Sequence, residues 1–203
     1  MEKKYFGHWG NEVLYRMCRE NPTHNDIDVI RGKVWLIGRA YSAAMERQKT
    51  GKFSYSKAVE KIQASNIDKW LKSVRRIKRV DYENVYLVLE VHKNVTELFR
   101  KITKMEKRSL ASKYLHFHQP NAFFIFDSQA NSKIRELLRG QRFSVPSGFD
   151  KPYTEFVFRC LWYRDNIFEQ RLNGSSSPRD LDRKLLTIDN ASSPLPQYLT
   201  RSR

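Results

Sequence analysis

Asp127 follows the apolar run Phe123-Phe124-Ile125-Phe126 and precedes Ser128, within RSLASKYLHFHQPNAFFIFDSQANSKIR (residues 108–135). A carboxylate set against an apolar wall can stabilise a developing positive charge or take a proton from an attacking water. The same aspartate is a good helix N-cap, as is Ser128, so a plain capping role competes with the chemical one. A helix N-terminus favours the ionised form and the phenylalanine wall opposes it. Lysines stand upstream of the acid. Lys107 and Lys113 suit phosphate contacts, the common role for lysine in so basic a chain. His116 and His118 have the spacing of a metal pair, but alternate residues point to different sides of a helix, so no metal and no cofactor is expected.

The elements that must position these groups read as helices. A basic helix is expected over Arg108–His118. Pro120 ends it, because proline lacks an N–H and disfavours helical geometry at Gln119. A further helix opens at Asp127 or Ser128 and runs to about Leu138. Upstream, helical spacing predicts elements over Tyr5–Glu20, Asp26–Gln48, Ser54–Ala64 and Asp81–Met105, with a break at Lys49–Lys52. The β-branched run Val85–Val91 also suits a strand, but the continuing periodicity to Ile102 favours helix, with His92 in or near the core. From Asn66, IDKWLKSVRRIKRV has an apolar stripe and a basic face that includes Arg75 and Arg76, either solvated or in contact with phosphate. Gly32 and Gly38 in the second helix imply close packing, or room for a ligand. Downstream, Gly140–Phe149 reads as a surface loop, Tyr153–Leu172 as a helix, Pro178 as the start of a short final helix, and Asn190–Arg203 as a disordered tail.

The chain has 203 residues and a net charge of +16, with 40% hydrophobic and 13% aromatic residues. That is enough apolar material for a core, and the length suits one domain, 1–189, plus the tail. The charge calls for an anionic partner, nucleic acid before membrane surface. No apolar run is long enough to span a bilayer, and MEKKYFGHWGNE has no signal-peptide core. Cys18 and Cys160 match no metal spacing and read as reduced thiols of a cytoplasmic protein.

SKYLHFHQPNAFFIFDSQA resembles the helix-hairpin-helix DNA glycosylase superfamily around its catalytic aspartate, over roughly Thr96–Leu138. The family's glycine-rich hairpin is absent; Lys101–Ser109 stands in its place without a glycine, a degenerate form of the element. The resemblance implies an all-α glycosylase-like fold, with two helical lobes around a cleft in residues 1–189, and a monomer acting on double-stranded DNA. The enzyme would flip a modified base and hydrolyse its N-glycosidic bond, with Asp127 stabilising the oxocarbenium ion and activating water. It implies phosphate contacts from Lys104, Lys107, Arg108, Ser109, Arg75 and Arg76, and a base pocket from Trp35, Arg39, Tyr41 and Phe124. Some members also cut the strand with a lysine amine as nucleophile, for which Lys107 and Lys113 are the nearest counterparts; a monofunctional enzyme is favoured. VWLIGRAYSAAMER together with SKYLHFHQPNAFFIFDS is further similar to bacterial anti-phage glycosylases acting on glucosylated hydroxymethylcytosine. Oxidised guanine or an alkylated base stays open. The competing classes are a non-enzymatic basic helical DNA-binding protein and a regulator that holds a helical partner on its basic face.

Overall fold

The computed structural model describes residues 3–47 and 53–187, and every regular element in them is helical, in line with the all-α expectation. The expected break at Lys49–Lys52 and the expected tail at Asn190–Arg203 lie outside the described residues. The chain divides into two compact units, Met1–Phe123 and Phe124–Arg203.

The first unit holds α1 (Lys3–Glu20), α2 (Ile27–Ala40), α3 (Tyr55–Gln63), α4 (Ile67–Val74), α5 (Val85–Thr103) and α6 (Arg108–His118). Asp26 caps α2, its carboxylate accepting the N–H groups of Asp28 and Val29 at 2.8 and 3.1 Å. Ile30, Val34 and Ile37 form the buried stripe that the spacing predicts. The helix stops at Ala40, short of the expected Gln48. Ser42 takes a positive φ of 51° and the Ala43 N–H returns to the Gly38 carbonyl at 2.9 Å. A Cβ on Gly38 would lie 3.2 Å from the Ala44 Cα, so glycine here serves close backbone packing.

The basic helix expected from Asn66 is likewise short. α4 ends at Val74, and Arg75 and Arg76 lie in the turn beyond it. The chain has to leave the helix axis because the Val80 N–H bonds to the Asn121 carbonyl at 3.1 Å. In α5 helix prevails over strand. The Asp81 carboxylate accepts the N–H groups of Glu83 and Asn84, and Val85 bonds back to the Asp81 carbonyl at 2.9 Å. The far end closes at Lys104, left-handed at φ 58°. α6 packs against α1, α2 and α5, and Leu110 through Phe117 are all buried, so this helix is surrounded rather than amphipathic.

The second unit holds α7 (Ser128–Leu137), α8 (Lys151–Tyr163), a π-helical turn (Arg164–Phe168), α9 (Glu169–Leu172) and α10 (Pro178–Thr187), with α7 against α8 and α10. The single helix expected over Tyr153–Leu172 is thus interrupted. The wider turn lets Arg164, Ile167 and Phe168 all face inward. Gly140 and Gly148, both at φ 88°, turn the loop between α7 and α8.

Candidate functional site

The approach to Asp127 is fixed from behind. Phe124 and Ile125 are buried, and the Phe124 carbonyl accepts the Tyr153 hydroxyl at 3.1 Å. Phe126 meets Phe156 edge-on, centroids 5.2 Å apart. Asp127 itself is extended (φ −136°, ψ 148°) and half-buried, and it is the N-cap of α7, accepting the Gln129 N–H at 2.8 Å. That bond satisfies one of the unpaired donors of the helix end. On either side of it, Phe126 and Ser128 line an open depression of about 650 Å³, completed by Asn131, Ser132, Arg135, Glu136 and Arg139. Positions 128, 131, 132 and 135 recur at helical spacing on one face of α7, and Arg139 follows from the turn just past it. Arg135 and Arg139 are exposed. The acid among them, Glu136, is 3.4 Å from the Lys133 ammonium. Hydroxyls, an amide and two guanidinium groups beside an aromatic edge suit a phosphate-bearing ligand.

Two lysines expected at the surface are not there. Lys113 is 1% exposed; its ammonium donates to the Ser109 hydroxyl at 2.9 Å and the Tyr41 carbonyl at 3.3 Å. Lys107 is buried, donating to the carbonyls of Ala44, at 2.9 Å, and Arg47. Both correct the phosphate-contact expectation, and Lys113 also corrects the picture of an accessible amine nucleophile. The physical cause is local. Tyr41 caps the end of α2, where carbonyls lack helical partners, and a cation there satisfies them and favours the dipole. Lys33, which the sequence reading passed over, is fully buried in the same fashion on the Asn21 carbonyl just past α1. Burial holds the Lys33 and Lys107 ammonium groups below the ordinary lysine range.

Lys104, Arg75 and Arg76 are exposed; Arg108 and Ser109 are half-buried. Of the residues expected to enclose a base, Trp35 is 47% exposed on α2. Arg39 is exposed and pairs with Glu46 at 2.9 Å, while the Tyr41 hydroxyl donates to Asn11. Phe124 is only 2% exposed and sits in the core of the second unit, about 6.0 Å from the Arg164 guanidinium. It therefore supports Asp127 from behind and does not face a ligand, a correction to its expected role.

Histidines form polar links inside the first unit. The Asp68 carboxylate accepts from His24 Nδ1 at 2.5 Å, which leaves Nε2 to accept the Tyr114 hydroxyl at 2.8 Å. His118 stacks on His24 with centroids 5.2 Å apart. His116 Nδ1 donates to the Phe123 carbonyl at 2.8 Å, and its Nε2 accepts from Tyr15 at 2.6 Å. The two histidines of the HxH pattern thus have separate surroundings. Among the described residues no group of three or more His, Cys, Asp or Glu side chains could hold a metal ion. Cys18 and Cys160 are buried free thiols, and burial pushes Cys18 up to about 12.

Fold and site together define an all-helical, strongly basic protein with an acid-capped helix beside an arginine-bearing depression. The chain belongs to the HI_0787_N family, described as an N-terminal domain, which matches residues 2–122. The match ends one residue before the boundary of the first unit, so Asp127 and α7 lie beyond it. No curated protein and no solved structure matches the chain. No helix among the described residues is long and apolar enough to cross a membrane.

Proposed function

We propose that the protein is a DNA glycosylase that flips a modified base out of the duplex and hydrolyses its N-glycosidic bond to leave an abasic site. The observation that carries this reading is the half-buried Asp127 carboxylate, held at a helix N-terminus between two residues that line an arginine-bearing depression. Breaking the bond builds positive charge on the sugar, which an ionised carboxylate stabilises while it accepts a proton from water. Arg135 and Arg139 are suited to holding the phosphates next to the extruded nucleotide, with Ser128 and Asn131 as additional donors. Burial of Lys113 on a carbonyl and a hydroxyl favours water over an amine as nucleophile, hence a monofunctional enzyme. The resemblance around SKYLHFHQPNAFFIFDSQA supports the same class, and glucosylated hydroxymethylcytosine in phage DNA is the first substrate to try. The protein would act as a cytoplasmic monomer on double-stranded DNA.

The capping bond from Asp127 to the Gln129 N–H favours a second reading, a basic helical DNA-binding protein without enzymatic activity. One assay separates the two. The protein is incubated with duplexes that contain glucosylated hydroxymethylcytosine, oxidised guanine, an alkylated base or only ordinary bases, and abasic sites are revealed by heat or alkali. Abasic product from one modified duplex is expected. Binding to every duplex with product from none rejects the enzymatic reading for these bases and favours the binding protein.

A further inference from the structure

Beyond the second unit, the turn that joins α4 to α5 carries features that neither the capping aspartate nor its depression uses. Lys72, Arg75, Arg76 and Lys78 are all exposed within one short stretch, and no acid interrupts positions 69–80. Directly after them come two large exposed aromatics, Tyr82 at 45% and Tyr86 at 53%. The Val85 N–H bonds back to the Asp81 carbonyl at 2.9 Å, so the turn that carries Tyr82 leads directly into the first turn of α5, which carries Tyr86.

The turn is held firmly. The Asn84 side chain donates to the Arg79 carbonyl at 3.0 Å and accepts the Asp81 N–H at 3.1 Å. Val74, Val80 and Val85 are fully buried beneath it. The nearest acids do not cancel the cations. Asp81 spends its carboxylate on the Glu83 and Asn84 N–H groups, and the exposed Glu83 is a single acid against four exposed cations. Cations beside exposed rings on a rigid support match a chain of phosphates with unstacked bases. Every base has a face on which an aromatic ring can stack, and the phosphates supply the opposite charge.

We infer that the α4–α5 turn is a binding platform for single-stranded nucleic acid, with Tyr82 and Tyr86 stacking on bases and Lys72, Arg75, Arg76 and Lys78 holding the backbone. The inference shares with the proposed glycosylase the class of partner and, in Arg75 and Arg76, two residues that the resemblance gives to phosphate contact; it uses neither Asp127 nor the depression beside it.

The test uses the full chain and fluorescent oligothymidylate, followed by anisotropy, with a duplex of equal length alongside. Tyr82→Ala and Tyr86→Ala should each weaken single-strand binding about tenfold, as loss of one stacked base does. Duplex affinity should change little. The Tyr82→Phe and Tyr86→Phe variants, which keep the rings, should bind the single strand as the parent does, guarding against a folding artefact. Unchanged single-strand affinity in the alanine variants overturns the inference, as does equal loss on both strand types or failure of the parent to bind the oligonucleotide. The two proposals fail separately. If the parent makes no abasic sites, the enzyme is rejected while the platform is untouched; if the alanine variants bind normally, the platform is rejected while Asp127 is untouched.

Discussion

Three buried lysines of the first unit end on backbone carbonyls, whereas two exposed arginines of the second line a depression. Lys33, Lys107 and Lys113 are buried and satisfy carbonyls that the ends of α1 and α2 and the turn beyond α2 leave unpaired. Arg135 lies exposed on α7 and Arg139 in the turn just past it. The same sign of charge therefore does two jobs, internal at the three lysines and open to solvent at the two arginines. A net charge of +16 overstates what is offered to phosphate, because part of it is internal. Lysine suits the internal task, since its flexible stem reaches a carbonyl with a compact point charge. Arginine suits the external one, since its planar fork matches phosphate oxygens.

The contrast can be broken most forcefully at Lys113. Lys113→Ala removes a buried stem and leaves the Tyr41 carbonyl without that donor, and should cost about 2–5 kcal/mol of stability, as for other long buried side chains. Denaturant titration would measure this, and a loss below about 0.5 kcal/mol, the level of ordinary surface changes, would mean that the lysine is not part of the core. Its removal should leave the salt dependence of DNA binding unaltered.

Acid should act next. Burial holds His24 and His118 below the ordinary histidine value and lowers His92 to about 3. Each folded-state value is depressed, so the unfolded chain takes up the proton first. The stabilisation is complete above about pH 6.5 and is lost as pH falls from there towards 3, at up to about 1.4 kcal/mol per pH unit for each histidine. Denaturation midpoints measured across that range should fall steadily. A flat profile would show that these rings are open to water.

In the second unit the expected effects are smaller. Asp127→Ala removes the cap of α7 and should cost about 0.5–2 kcal/mol. Arg135→Ala and Arg139→Ala should each change stability by less than about 0.5 kcal/mol, as exposed positions do. Each should lower the slope of log affinity against log salt by about one for duplex DNA. Slopes equal to that of the parent would remove α7 from the interface.

Local patterns carried much of the fold. The apolar stripes of α2 and α5, Ser54 before α3, and the Asp127-Ser128 start of α7 all state their roles in neighbouring residues. What stayed hidden depends on partners distant in sequence. The end of α4 is set by Asn121, whose carbonyl draws Val80 inward. α6 reads as a basic helix because Lys113, His116 and His118 are polar, yet α1, α2 and α5 surround it: Lys113 reaches the Tyr41 carbonyl just past α2, His116 accepts the Tyr15 hydroxyl of α1, and His118 stacks on His24 between α1 and α2. Phe124 is a pocket wall by resemblance and a core residue in the structure, a difference that an unbroken apolar run does not reveal. The π turn at Arg164–Phe168 has no sequence mark that periodicity detects.

The most direct measurement separates the two roles of Asp127 by replacing it with asparagine, which caps a helix as well as aspartate does. Thermal denaturation of Asp127→Asn should match the parent, and duplex affinity should hold, since the capping geometry and the arginines are kept. The single-turnover rate of abasic-site formation should fall by at least about 100-fold, the scale of a lost general base. Undiminished base release by this variant would contradict the account and leave Asp127 as a helix cap alone.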